Sequence, residues 1–351
     1  MKRTTRLLLA AVTAAAVGLL AACGGTGATA GGSAPATGDK TVTVYSADGL
    51  GDWYKKRFGE FTQQTGIAVN YVEAGSGEVV SRVQKEQSNP QADLLVTLPP
   101  FIQKAGADGL LQPSGVDTTG VAADDKAADG SYVSLVNNYL CFIYNPSVAN
   151  PAPTKYSDLL DPRFAGKIQY STPGQAGDGT AVLLLLQQLY GKDGALDYLK
   201  KLQPMTTGPS SSTGKLQPKV SKGELAIANG DVQMNTASIR DDKSTFQIFF
   251  PATDDGTRST LVLPYVMGLT KGAPHADAAK QLMTFLLSQP VQKTVASEAL
   301  GVSVRTDLPA DDASAQIAKT VDGVKLIRPD WNTVLTNLDA DVAAYQKATG
   351  S

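Results

Sequence analysis

The sequence predicts a two-lobed α/β protein with a polar cleft between hinged lobes, and three observations carry that expectation. From Lys40 onward strand and helix patterns alternate in the βαβ rhythm that builds a parallel sheet. Four stretches share the order strand, small polar loop, helix: VTVYSADGLGDWYKKRF, VNYVEAGSGEVVSRVQ, KIQYSTPGQAGDGTAVLLLLQQL and the Gly/Ser-rich TTGPSSSTGKLQPKV. Finally, the chain leaves its first lobe through SYVSLVNNYLCFIYN and returns to it through RSTLVLPYVMGLTKG, which makes a hinged pair. Ligands of open α/β sheets sit outside the carboxyl ends of the strands, so loops of this kind converge on one cleft. They read as a single polar pocket for a small charged solute.

Lys2, Arg3 and Arg6 precede a short apolar run from Leu7 to Leu20 that exits through Leu20-Ala21-Ala22-Cys23-Gly24. A basic start, short core and small-residue exit describe a secretory signal over 1–22, too short and wrongly flanked for a stable spanning helix. Cys23 directly after Leu-Ala-Ala resembles the bacterial lipobox, which implies acylation of that cysteine and a membrane-anchored, extracytoplasmic protein. The plainer alternative is a secreted protein with a chance cysteine. Residues 23–39, rich in Gly, Ala, Ser and Thr, read as a flexible tether.

About 310 residues remain for folding, more than one core usually organises, which favours two lobes. A net charge of −2 and the lack of a basic stripe argue against nucleic acid as a partner. Cys141 lies inside the apolar run YLCFIY and reads as a buried inert thiol, with no disulfide once Cys23 carries lipid. One histidine, His275 in a KGAPHADA turn, leaves too few soft ligands for zinc, and a Ser-His nucleophile would have to use this solvated loop residue. No metal or other cofactor is expected.

In chain order the pattern predicts strand TVTVYS, a helix over Asp52–Thr65, strand IAVNYVEAG, a helix over Glu78–Gln87 and a third buried strand in ADLLVTLPP. SYVSLVNNYLCFIYN reads as one long strand crossing between lobes. The second lobe continues with KIQYS, helices over Thr180–Tyr190 and Asp193–Leu202, a helix over Lys215–Ser221, strand GELAIANGD and a helix over Val232–Arg240. FQIFFPATDDGT and RSTLVLPYVMGLTKG read as two strands, followed by helices over Ala276–Leu287, Pro290–Glu298 and Trp331–Lys347. The expected lobes are 40–137 with 262–305, and 138–261 with 306–351.

The phrases VYSADGL, NPQADLLVTLPPFIQ, NNYLCFIYN, DLLDPRFAGKIQYSTPGQAGDGTAV, GPSSSTGKL and ANGDVQMN carry a family resemblance from about Thr41 to the C-terminus. The chain resembles the substrate-binding proteins of 2-aminoethylphosphonate ABC importers, in the ferric- and anion-binding subgroup of the two-lobed periplasmic-binding (type II) fold. That resemblance implies a monomeric binding protein without catalysis, which captures a small zwitterion and delivers it to permease subunits. The second loop departs from the family's glycine-rich pattern, with Ser76 and Glu78 flanking Gly77.

A zwitterion needs a pocket with two opposite halves. Phosphonate oxygens suit hydroxyls and N–H groups at helix starts, which Ser210, Ser211, Ser212 and Thr213 offer ahead of the Lys215–Ser221 helix. Ser76 and the Gly77 amide could add donors. Thr172, Gln175 and Thr180 can supply neutral hydrogen bonds to either end. Asp178 either caps its own helix, taking the N–H groups a phosphonate would use, or faces the ammonium. Asp231, after Asn229 at the end of ELAIANGD, reads as the preferred ammonium partner or as an N-cap of the next helix. Asp48 reads as a turn residue before Gly49 or a weaker ligand. Tyr45, Tyr139 and Tyr265 sit on strands directed at the cleft and could pack on the ethyl linker. The rival readings are a binder of another organophosphonate, phosphate, ferric ion, a polyamine or another small anion, and a secreted phosphoryl or phosphonate hydrolase. The last lacks an activated nucleophile or metal cluster.

Overall fold

The computed structural model describes residues Lys40–Gly350. β1 (Thr41–Ala47) is the central parallel strand of its neighbourhood, flanked in register by β2 (Ala68–Ala74) and β3 (Leu94–Thr97). α1 (Gly51–Thr65) buries Trp53, Tyr54, Phe58 and Phe61 on one face and ends at Gly66, which adopts φ 74°. That left-handed cap is a conformation glycine takes at no steric cost. α2 (Ser76–Lys85) and α3 (Phe101–Ala107) follow β2 and β3, and β4 (Leu111–Gln112) closes this first pass.

The expected crossing strand is two strands, β5 (Tyr132–Asn137) and β6 (Leu140–Tyr144). They belong to different sheets, so the ladder must break between them. It breaks at Asn138, whose side-chain Oδ1 accepts the Tyr139 N–H at 2.8 Å and the Gln233 N–H at 3.1 Å. The smaller sheet runs β7 (Ile168–Gln169), β8 (Ile227–Asp231), β6, β9 (Gln247–Phe249). Two α-helices lie between β7 and β8. α4 (Gly177–Leu202) includes a break at Gly191 (φ 72°, ψ 171°), the join between the two expected helices. α5 (Gln217–Ser221) is shorter than expected. α6 (Val232–Asp241) follows β8 without a loop.

RSTLVLPYVMGLTKG also divides, into β10 (Ser259–Leu261) and β11 (Tyr265–Thr270). Pro264, which has no N–H to donate, stands between them. β11 is antiparallel to β3, β4 and β5, completing a larger sheet of order β12-β5-β11-β3-β1-β2 in which β12 is Val302–Ser303. The expected Pro290–Glu298 helix is α8 (Gln289–Gln292) and a separate π-helical turn over Val295–Ala299, after α7 (Ala276–Leu287). Three late elements had no counterpart in the sequence pattern or only a partial one. α9 (Asp312–Thr320) and β13 (Lys325–Ile327), the parallel partner of β10, were not anticipated, and α10 (Trp331–Thr349) packs on α4 and reaches α3.

The loops nearest the interlobe boundary approach so closely that side chains are excluded. A Cβ on Gly179 would lie 1.9 Å from the Ser171 carbonyl oxygen. Gly179→Ala should therefore destabilise the protein by about 1–3 kcal/mol, because neither backbone can yield. Gly59→Ala, inside α1 with nothing within 4 Å of the added carbon, should instead gain about 0.5–1 kcal/mol. Urea denaturation of the two variants checks the pair, and equal stabilities would refute the packing account.

Candidate functional site

Loops from the two sheets meet through hydrogen bonds that join carboxylates to hydroxyl and amide donors. Asp48, on the loop after β1, reaches the loop before α5: its Oδ2 accepts from Ser212 Oγ at 2.6 Å and from the Gly214 amide at 3.1 Å. Asp178, in the first turn of α4, accepts from Thr213 Oγ1 at 2.9 Å through Oδ2. Thr213 also lies 3.0 Å from Ser171 Oγ, which Asn229 holds through its amide at 3.1 Å. Tyr265, at the start of β11, directs its hydroxyl at Asp231 Oδ2, Gln233 Oε1 and the Asp48 carbonyl, each about 3.2–3.3 Å away. Lower on the same boundary the Gly77 amide donates to the Gln175 carbonyl at 3.0 Å.

The two aspartates left open by sequence now differ. Asp231 is the N-cap of α6: Oδ1 accepts the Met234 N–H at 2.7 Å and Oδ2 the Tyr265 hydroxyl. Both its oxygens are engaged, so Asp231 takes the N-cap role that the sequence left open beside the ammonium one. Asp178 caps nothing. The N-cap of α4 is Ala176, which has no capping side chain, and Asp178 Oδ1 is buried without a hydrogen-bond partner.

Burial sets the electrostatics. The charges of Asp231 and Asp48 act on Asp178, that of Asp48 acts on Asp231, and Asp178 and Asp231 are fully enclosed. Burial first, then the charges of Asp231 and Asp48, push the Asp178 carboxyl well above the usual carboxylate range. Burial raises Asp231 to about 6, with Asp48 adding to the shift while Asn138, the Met234 N–H and Tyr265 oppose it. The Tyr265 hydroxyl is pushed up by burial and by the same three carboxylates. Among the described residues no group of three or more His, Cys, Asp or Glu could hold a metal ion.

Other expected site residues serve the loops. Thr172 Oγ1 accepts the Ser210 N–H at 3.0 Å, Thr180 Oγ1 accepts the Gly174 N–H at 2.9 Å, and Asn229 Oδ1 accepts the Ser171 N–H at 2.8 Å. Ser210 Oγ donates to the Ser212 carbonyl, Ser211 is exposed, Ser76 is buried against Gly177, and the Gln175 side chain is exposed. Two tyrosines are corrected. Tyr45 points to the α2 side of the sheet, where its hydroxyl binds Glu86 at 3.0 Å and Arg82 stacks 4.3 Å above its ring. Tyr139 is in the link between β5 and β6 and packs with Cys141, Val232, Phe250 and Val324. Cys141 itself is buried, with burial pushing its thiol up.

Sequence reading missed Gln233, Gly214, Ser171, Asn138 and Glu73, which accepts the Gly49 N–H at 3.2 Å. Only Asn138 carried a signal, a polar pair interrupting two apolar strand runs. A hollow of about 250 Å³ opens beside Gly49, Glu73, Gln233 and Met234, and one of about 490 Å³ lies by Gly77, Gln175, Ser211 and α10. Neither includes Asp178 or Asp231, which are enclosed between the loops.

Two open-edged sheets, a chain that crosses between them and returns, and a buried polar cluster where their loops meet define a binding protein with an interlobe cleft. The chain belongs to the bacterial extracellular solute-binding protein family, whose model matches residues 47–293. It is 47% identical over 325 residues to the "Putative 2-aminoethylphosphonate-binding periplasmic protein" of Salmonella typhimurium strain LT2, covering 91% of this chain and 95% of that one. Among solved structures, the periplasmic binding protein AfuA of Actinobacillus pleuropneumoniae, with fructose-6-phosphate bound, superposes with a TM-score of 0.78 at 20% identity, over 89% of this chain and 99% of that one. A periplasmic thiamin binding protein does so with a TM-score of 0.74 at 18% identity, over 89% and 96%. These two establish the fold, which is the expected two-lobed periplasmic-binding fold. The relatives are binding proteins and not enzymes.

The unpaired oxygen has a consequence for stability. A carboxyl whose folded pKa is raised stabilises the folded form while protonated, fully below its unfolded value near 3.9, and loses that contribution as pH rises through the folded value. Asp178→Asn should thus raise the stability of the ligand-free protein at pH 7.5 by about 1–4 kcal/mol. The gain should shrink as pH falls to 5. Thermal melts at the two pH values check this, and a variant destabilised at pH 7.5 would contradict it.

Proposed function

We propose that this chain is the substrate-binding lipoprotein of an ABC importer, which captures 2-aminoethylphosphonate between its lobes and delivers it to the membrane permease. The observation that carries the reading is the pairing of Asp48 with Ser212 and Gly214, and of Asp178 with Thr213, at the meeting of the loops. The donors of one half converge on anionic oxygens, as they would on a phosphonate, and the carboxylates of the other half face inward, as an ammonium requires. A zwitterion entering between them replaces each pair by one bond at each of its ends. The name borne by the Salmonella relative supports the same ligand.

In this reading the phosphonate lies on Ser212, Thr213 and the Gly214 amide, with Ser210 and Ser211 beside them. Asp178, with its free oxygen, takes the ammonium in place of Asp231. Lobe 1 comprises 40–137 with 262–305, and lobe 2 comprises 138–261 with 306–351. The protein acts as a monomer, exported by its first 22 residues and anchored through lipid on Cys23; these N-terminal residues lie outside the described part of the chain.

Calorimetry with 2-aminoethylphosphonate, ethylphosphonate and phosphate tests the ligand. Ser212→Ala and Thr213→Val should weaken both phosphonates by about 1.5–3 kcal/mol each, because charge-assisted donors are lost. Asp178→Asn should weaken 2-aminoethylphosphonate by about 2–5 kcal/mol and leave ethylphosphonate unchanged or tighter. Equal weakening of the two ligands by Asp178→Asn would remove it from the ammonium site. Preference for phosphate over both phosphonates would sink the ligand itself.

Anchoring is tested separately. Cys23→Ala should release the protein from the cell membrane into the medium, and continued retention in the membrane fraction would refute the lipid anchor.

A further inference from the structure

The polar cluster carries more negative charge than its partners balance. Asp178 on α4 faces Asp231 at the end of β8 and Asp48 on the loop after β1, and the neutral groups beside them are Thr213, the Tyr265 hydroxyl and the Cys141 thiol. On the rim, Glu73 of β2 and Asp52 of α1 add further carboxylates near Asp48. Arg240, the cation at that rim, is committed to Asp241 at 2.7 Å and to the Ser297 carbonyl at 3.1 Å. The exposed Lys215 side chain makes no hydrogen bond or ion pair to these carboxylates. Independently of this count, Asp178 is only 4% exposed, and its Oδ1 is enclosed with no hydrogen-bond partner.

Asp178 and Asp231 belong to the lobe of the smaller sheet and are neighbours within it, and Asp48, from the lobe of the larger sheet, joins them only when the lobes meet. We infer that Asp48, Asp178 and Asp231 form a charge gate, which holds the empty cleft open at neutral pH and lets it close only when a ligand cation, or a proton, enters beside Asp178. The inference rests on the proposed cleft site and deepens it, because it makes the cationic end of the solute the specificity determinant for closure. An anion of the same shape fills the hydroxyl half and leaves the repulsion in place. Closing then needs a proton instead, because the meeting of the lobes adds the charge of Asp48 to the neighbours of Asp178, so acid favours closure and alkali opposes it.

Two amides report closure directly, since their hydrogen bonds span the lobes: Gly214 N–H to Asp48 Oδ2, and Gly77 N–H to the Gln175 carbonyl. Hydrogen exchange at these amides in the full chain, corrected for intrinsic rates, tests the gate. Without ligand at pH 7.5 the wild type should exchange them freely, and 2-aminoethylphosphonate should protect them at least tenfold, whereas saturating ethylphosphonate should not. Asp178→Asn and Asp48→Asn, in which the side-chain oxygen can still accept its bond, should each be protected without ligand at pH 7.5. Lowering the pH of the wild type to 5.5 should protect the same amides, which keeps the test decisive if a variant folds poorly. Protection of the empty wild type at pH 7.5, or equal protection by ethylphosphonate, would overturn the gate. If 2-aminoethylphosphonate protects nothing while acid and both variants still close the cleft, the gate stands and the ligand reading fails.

Discussion

The contact on which the arrangement of the cleft depends is the reach of Asp48 across to Ser212 and Gly214. It ties the loop after β1 of one sheet to a loop of the other, and it does so with a charged acceptor. The approach is possible because the surrounding positions have no side chains. A Cβ on Gly49 would lie 2.0 Å from the Tyr265 hydroxyl, one on Gly214 2.9 Å from Asp48 itself, and one on Gly75 2.8 Å from the Ser211 carbonyl. Small residues in these loops thus serve the meeting of backbones as much as the binding of solute.

The strand, loop and helix units were legible in sequence because each is local: alternating apolar residues, a run of small polar ones, then a helical stripe. Which aspartate caps was not legible, because that depends on where the helix begins to the residue. β8 runs into α6 without a loop, so Asp231 falls at the cap and Met234 three residues on presents its N–H. Before α4 the chain turns first, with the Gln175 and Ala176 amides both directed at the Thr172 carbonyl. That turn places Ala176 at the cap and carries Asp178 past the N-cap position into the first turn of the helix. A shift of two residues decides between a structural group and a candidate ligand group.

The tyrosines show a second limit of local reading. Side chains alternate across a strand, but only residues at strand ends reach a cleft that lies beyond the sheet. Tyr45 sits inside β1, paired with Leu95, and its ring belongs to the layer between the sheet and α2. Tyr265 begins β11, which runs antiparallel to β3, and its neighbour Val266 pairs with Thr97 at the carboxyl end of β3. The orientation of β11 therefore brings its first residue to the cleft edge. A long-range reversal of direction leaves no mark in the periodicity of either segment, so the three tyrosines looked equivalent.

The same geometry bounds how tightly a solute can bind. A ligand with seven non-hydrogen atoms has a ceiling of about −10 kcal/mol, at about −1.5 kcal/mol per atom, or tens of nanomolar. In this cleft Asp178 and Thr213 belong to one lobe and satisfy one another before a solute arrives, so a zwitterion exchanges that hydrogen bond and does not create all of its bonds anew. Each exchange contributes the difference between a charge-assisted bond to the ligand and the internal bond it replaces, which is smaller than the bond itself. The exception is Asp178 Oδ1, which has no internal partner to give up. The largest net gain available to a ligand thus lies at its cationic end, even though most of the donors line the anionic one.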